Sequence, residues 1–249
     1  MPHPLPGSYP EKSPPVITID GPSGVGKGTV SRLLARRLGN WRVLDSGALY
    51  RLLALAAVLR HIALDDEAGL CALGQGLDCE FLYEGDTERI LLDGREVTEE
   101  IREETCGNNA SMLARLPGVR EALMARQRDF RGFPGLVADG RDMGTRIFPD
   151  ARTKFFLTAN LHERAKRRHK QLKAQGADGN LASLLTEIEE RDRRDRERSA
   201  SPLEPATDAV LIDTTDLVID EVLDRVMASV ITSGIETGEA IIRPRNITT

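Results

Sequence analysis

A lysine set among glycines, Gly21-Pro22-Ser23-Gly24-Val25-Gly26-Lys27-Gly28-Thr29, is the first stretch with the means for chemistry. Glycines let a backbone curl until successive N–H groups converge, and converging N–H groups hold phosphate oxygens. Lys27 adds a compact cation that can bridge outer phosphates. The pattern G-x-x-x-x-G-K-[ST] fits at Gly21, Gly26 and Lys27, but Gly28 takes the hydroxyl position and Thr29 follows one later. A polyphosphate cradle is one reading. A turn that only closes a strand onto a helix is the other.

Three further groups carry charge in suggestive places. Asp45-Ser46-Gly47-Ala48-Leu49-Tyr50-Arg51 and Asp139-Gly140-Arg141-Asp142-Met143-Gly144-Thr145 each follow a short apolar run. Arg191, Arg194 and Arg198 are three and four apart, so a helix puts them on one face, with Asp195 four after Arg191. Arginine is planar, permanently charged and bidentate toward phosphate. The same run can equally be a solvated helix laced with ion pairs such as Asp192–Arg196. Histidine occurs only at positions 3, 61, 162 and 169, outside all of these groups, so no Ser-His-Asp or Cys-His arrangement assembles beside the loop. Phosphoryl transfer needs no covalent catalyst; it needs positioning, Mg²⁺ and positive charge around the moving group.

The elements that must hold these residues alternate. Val16–Asp20 is a continuous apolar run that reads as a doubly buried strand, and Val30 to Leu38 as the helix after the glycine-rich turn. Val43–Asp45, Gly135–Asp139, Thr153–Thr158 and Val210–Thr214 read as further core strands. Helices are expected over Ala48–His61 (with Ser46 as its N-cap), Thr98–Leu113, Val119–Arg131, Leu161–Gln175, Leu181–Arg198 and Ile219–Ile231. Alternation of this kind predicts an α/β fold with a parallel sheet flanked by helices. Within it, Cys79–Val97 reads as a small antiparallel insertion, with turn signals at Glu84-Gly85-Asp86 and Asp93-Gly94. It is either a plain surface hairpin or a cover over the substrate. Two basic helices joined by Gln175–Asn180 suit a lid that closes over polyphosphate.

The chain has 249 residues, 40% hydrophobic and 29% charged, with net charge -5 and pI near 5.5. An acidic chain argues against a general nucleic-acid binder. Cys71, Cys79 and Cys106 share no metal-ligand spacing and read as reduced buried thiols. No run approaches a membrane span and the proline-rich start has no secretory h-region, which together point to the cytoplasm. Residues 1–15 are expected to be a disordered leader and 233–249 a loose tail, around a single domain over 16–232. That domain has its core at 16–76 and 98–232, an insertion at about 77–97 and a lid at about 164–198. Nothing in the pattern demands an interface, so a monomer is expected.

These motifs together resemble bacterial cytidylate kinase. The resemblance runs from about Val16 to about Ile231 and rests on Val16–Thr29, Leu44–Arg51, Ala138–Thr145 and the arginine-rich Glu190–Arg196. Lys-Gly-Thr after the loop is shared with other nucleoside monophosphate kinases, which accounts for Gly28. The resemblance implies a P-loop NTPase-like fold that converts ATP and CMP or dCMP to ADP and CDP or dCDP. It also implies Mg²⁺ held mainly by nucleotide phosphates and water, with no protein-built metal site. It places Ser46, Arg120, Asp142 and Arg198 around the cytosine, Ser111, Arg191 and Asp195 at the ribose, and Arg51 and Arg141 on the CMP phosphate. Residues 21–29 then hold ATP, and Lys27, Arg141, Arg191 and Arg198 supply the charge for transfer. A kinase for UMP or AMP, or a nucleotide-switched binding protein, stands as the alternative.

Overall fold

The computed structural model describes residues 13–84, 87–174, 180–198 and 200–235. The expected start of the leader, the Gly85-Asp86 turn, most of the Gln175–Asn180 hinge and the far tail therefore lie outside the described residues.

β1 (Val16–Asp20) is buried at every position, as its apolar run requires. It leads through the glycine-rich turn into α1 (Lys27–Arg37). β2 (Arg42–Asp45) runs into α2 (Ser46–Leu59) and then α3 (Glu67–Gln75). The antiparallel insertion is β3 (Cys79–Glu84), β4 (Thr87–Leu92) and β5 (Arg95–Glu96). After a 3₁₀ turn at Glu100–Arg102 come α4 (Glu104–Leu113) and α5 (Pro117–Arg128). β6 (Leu136–Gly140) is followed by one π-helical turn, Met143–Ile147, and by β7 (Thr153–Thr158). α6 (Leu161–Ala174), α7 (Leu181–Glu197), β8 (Val210–Asp213) and α8 (Ile219–Thr232) complete the chain.

The main sheet is parallel in the order β2-β6-β1-β7-β8. Its register matters more than its size. Asp45 pairs with Asp139, Ile19 pairs with Asp139 and Asp20 pairs with Gly140. Three aspartates therefore lie at the carboxyl ends of three adjacent strands, along the edge where ligands bind in open parallel sheets. One side of the sheet is packed by Val30, Leu34, Leu38, Val222 and Val226 of α1, its end and α8. A second core joins α2, α3, α4 and α5 to Ile90, Leu92 and Val97 of the insertion. Each fully buried Leu or Ile here contributes roughly 1.5–3 kcal/mol.

Several local expectations need correction. The N-cap of α2 is Asp45, whose Oδ1 accepts from Ala48 N at 3.0 Å; Ser46 is already helical. α3 was not foreseen, although Asp66 caps it and Leu70 and Leu73 anchor it. The Thr98–Leu113 helix is broken at Glu103, whose ψ of 147° ends the 3₁₀ turn. Only Cys106 is buried; Cys71 and Cys79 are half-buried, and none of the three is bridged. The start of the expected loose tail is packed: Ser233 Oγ lies 2.9 Å from Thr153 Oγ1 and Ile235 is buried. At the other end, Pro14 O and Pro15 O accept from Arg131 Nε and Leu136 N. Among the described residues no helix is long and apolar enough to cross a membrane.

Candidate active site

The glycine-rich loop takes its shape from Gly24 and Gly26, whose φ values of 80° and 93° only glycine adopts without strain. Gly26 also stands as the N-cap of α1, so the positive end of that helix faces the loop's concave side. Lys27 folds back, and its Nζ donates to Pro22 O at 2.8 Å and lies 3.9 Å from Asp139 Oδ1. Burial, and then the neighbouring Arg141, lower Lys27 to about 8. Burial raises Asp139 to about 7 against the pull of Lys27.

Asp20 has a different task. Its two oxygens accept from Met143 N and Gly144 N, both at 2.8 Å. The carboxylate thereby ties the end of β1 to the loop after β6. Burial raises it to about 6 even against those two donors.

Two cavities open along this edge. The larger, about 440 Å³, is lined by Ser23, Gly24, Gly26, Lys27 and Thr29 of the loop, and by Asp45, Arg51, Asp139, Arg141, Arg167, Arg168 and Arg191 among others. The smaller, about 50 Å³, is lined by Ser46, Tyr50, Ser111, Arg120, Asp142, Asp195 and Arg198, again with Arg141 and Arg191. Gly47, Arg141 and Arg191 border both. The smaller cavity is narrow because its own side chains fill it. Arg120 is ion-paired with Asp142 and lies over the Tyr50 ring at 5.9 Å, while Arg141 Nε donates to Asp195 Oδ2 at 2.9 Å.

Its electrostatics are those of an anion site. Burial, then Arg141, lower Arg191 to about 10. Burial, then Arg120, also lower Arg198. Burial alone would raise Asp195, but Arg141, Arg191 and Arg198 outweigh it and hold its carboxyl below the usual range. Arg191 Nε, Arg198 Nε and Nη2, and Ser111 Oγ are buried polar atoms with no partner among the described residues. Buried donors of this kind cost free energy unless something accepts from them.

The fold thus brings together every residue expected around the smaller cavity except Arg51, which borders the larger one instead. Arg51 Nη1 donates to Ile101 O at 2.5 Å and Glu103 O at 3.2 Å, so its direction is set by backbone carbonyls. Four residues of the 21–29 stretch do not line the cavity. Pro22 presents its carbonyl to Lys27, Val25 packs into the core, Gly21 turns the backbone at a φ of 142°, and Gly28 is already helical in the first turn of α1. The arginine helix departs from expectation at two points. α7 ends at Glu197, and Arg198 is extended at its C-cap (ψ 136°), so it reaches the cavity from beyond the helix. Asp192 is buried and pairs with Arg164 at 2.6 Å rather than with Arg196; Arg194 turns to Asn108 of α4.

Asp20 and Gln127, whose Oε1 accepts from Ser46 Oγ at 2.7 Å, have no role in the sequence reading, and Asp139 stands there only as the first residue of its loop. The available signal was an aspartate closing each of the two central apolar strands, β1 and β6. Among the described residues, no side chain of β3–β5 lines either cavity; that sheet backs the helices that do.

A parallel sheet with a lysine-bearing glycine loop at its carboxyl edge, and a second arginine-walled cavity beside it, defines a P-loop kinase acting on a small phosphorylated acceptor. The family model for cytidylate kinase matches residues 17–232, and the chain belongs to that family. The cytidylate kinase of Aeromonas salmonicida (strain A449) is 55% identical over 214 residues, covering 86% of this chain and 93% of its own. That of Stutzerimonas stutzeri (strain A1501) is 58% identical over 221 residues, covering 88% and 96%. That of Pseudomonas entomophila (strain L48) is 58% identical over 214 residues, covering 85% and 93%.

Proposed function

We propose that this chain transfers the γ-phosphoryl of ATP to CMP and dCMP, giving ADP and CDP or dCDP. The observation that carries the reading is the shared wall. Arg141 and Arg191 border both cavities, so one pair of cations faces a donor on one side and an acceptor on the other. Charge on a phosphoryl moving between the two stays beside them throughout, and Lys27 approaches from the donor side. Fixed cations that need not reorganise during transfer are the main source of rate in such reactions.

On this reading residues 21–29 cradle the ATP phosphates. Arg51 and Arg141 hold the CMP phosphate, Ser111, Arg191 and Asp195 the ribose, and Ser46, Arg120, Asp142 and Arg198 the base. Asp142 is an acceptor toward the exocyclic amine of cytosine. Uracil presents a carbonyl there, so the same carboxylate repels it. Mg²⁺, when bound with ATP, neutralises and aligns the outer phosphates. Among the described residues no three His, Cys, Asp or Glu side chains cluster tightly enough to cage an ion. On this reading the ion is held mainly by phosphates and water, and Asp139, 3.9 Å from Lys27 Nζ, is a protein anion close by. Closing the lid helices α6 and α7 over the donor side excludes water from the transfer.

The test is steady-state ADP formation from ATP with CMP, dCMP, UMP, AMP and GMP in parallel. CMP and dCMP are expected to give the highest kcat/KM. Faster turnover of UMP or AMP overturns the acceptor assignment, and nucleotide hydrolysis without any acceptor dependence overturns the kinase.

A further inference from the structure

Arg164 sits on the first turn of α6, far in sequence from the loop it touches. It is buried, at 5% exposure, and each part of its side chain is used. Its Cβ packs on Gly24, where an added Cβ would stand only 3.1 Å away. Its Nη1 donates to Ser23 O at 3.2 Å and its Nε to Ala159 O at 3.1 Å. Its Nη2 donates to Asp192 Oδ2 at 2.6 Å. Asp192 is buried as well and adjoins Arg191 on α7. Three residues on, Asp195 holds Arg141.

We propose that Arg164 and Asp192 are a positioning pair that fixes α7, and with it Arg191, to the glycine-rich loop. The proposal rests on the kinase reading above. A helix held only by Asp195 can still roll or slide about that point. Held at 192 and 195 by arginines from two different elements, its C-terminal half is restrained against both. Arg191 lies beside both anchors, has an unpartnered Nε, and borders both cavities. Its aim at the transferred group is therefore set relative to Ser23 and Gly24, the residues that shape the donor cradle. A buried ion pair is a poor device for stability, because desolvation offsets much of the attraction. Its fixed, charge-assisted geometry makes it a good device for direction.

The experiment is Asp192→Asn, which keeps the shape and removes the charge, beside Arg164→Lys, which keeps a charge but cannot span Ser23, Ala159 and Asp192 together. Misplacing a reacting group by about 1 Å costs on the order of a hundredfold, so a kcat loss of that order is expected, with a smaller rise in KM for CMP because Arg191 also borders the acceptor cavity. KM for ATP should rise, and amide hydrogen exchange at Ser23–Gly26 should quicken. Asp192→Glu should recover part of kcat. Wild-type kcat in Asp192→Asn with only a lowered Tm overturns the proposal, as does unchanged exchange at the loop. Absence of CMP-dependent ADP formation by the wild-type chain strikes the kinase reading instead, and leaves the exchange comparison to judge the pair. If Arg164→Lys alone fails to fold, Asp192→Asn decides.

Discussion

The two cavities that share Arg141 and Arg191 are built by opposite means. The donor side centres on one contiguous stretch, Ser23 to Thr29, which brings a glycine-shaped backbone, a helix end and Lys27, with Arg167 and Arg168 of α6 completing its wall beside the shared arginines. The acceptor side draws single side chains from α2, α4, α5, the loop after β6, and α7 with its C-cap, and works through ion pairs. A backbone cradle is preorganised once the glycines allow it. Side-chain ion pairs must be broken or shared when a ligand enters. The donor side should therefore answer to mutation mainly in kcat, the acceptor side in KM, specificity and stability.

The sharpest break of that contrast is Lys27→Ala. It should lower kcat by roughly a hundred- to a thousandfold, the range for removing one preorganised stabiliser, while circular dichroism and Tm report an intact fold. Near-normal turnover would remove Lys27 from the chemistry and leave the donor side a passive cradle.

Next in size is Asp142. Replacement by Asn should narrow the CMP-to-UMP ratio of kcat/KM by at least about tenfold, since the site then accepts either base edge. Replacement by Ala leaves Arg120 buried without its partner and should also destabilise the protein by about 3 kcal/mol. An unchanged CMP-to-UMP ratio in both variants would mean that Asp142 does not read the base.

Arg198→Met separates binding from stability on the same side. Two buried guanidinium nitrogens of Arg198 have no partner among the described residues, and burial already lowers its proton affinity. An apolar side chain of similar length should hold or raise the unliganded Tm by a degree or two and raise KM for CMP. A drop in Tm with unchanged KM would assign Arg198 to the scaffold.

The contrast also explains what the sequence discloses. β1, the loop and α1 are adjacent in the chain, so glycine spacing and apolar runs reveal them. The alternation of strands and helices reveals the parallel sheet for the same reason. The acceptor side has no such local signature. Arg120 and Asp142 are 22 residues apart, Arg141 and Asp195 54, and Arg164 and Ser23 141. The resemblance to a family brings together only Arg120 and Asp142 beforehand; it puts Arg141 and Asp195 on different parts of the acceptor and gives Arg164 no place. Local rules also mislead where tertiary partners win: Asp192 has Arg196 four residues on, yet turns inward because Arg164 offers a buried bidentate-capable donor. Ser46 looks like an N-cap, yet its hydroxyl goes to Gln127 and Asp45 caps instead.

The smallest effect concerns Asp139, the carboxylate beside Lys27 in the larger cavity. Burial is the largest influence on it and raises it from 3.8 to about 7. A group whose folded pKa is raised contributes stability that is fully present below its unfolded value and is lost as pH rises through its folded value. For Asp139 that window runs from about pH 4 to pH 7. Asn at this position cannot ionise and loses nothing across the window. The Tm difference between Asp139→Asn and wild type, both unliganded, should therefore grow in favour of the variant from pH 5 to pH 7.5, by a few degrees. Asp20, also raised by burial, is common to both proteins and largely cancels in the difference. Stopping at pH 7.5 keeps the comparison below the point near 8 where Lys27 is half deprotonated. A Tm difference independent of pH would show that Asp139 stays ionised throughout, paired with Lys27. The donor side would then be held by a standing ion pair, like the acceptor side, and the contrast between them would shrink to one of backbone against side chain.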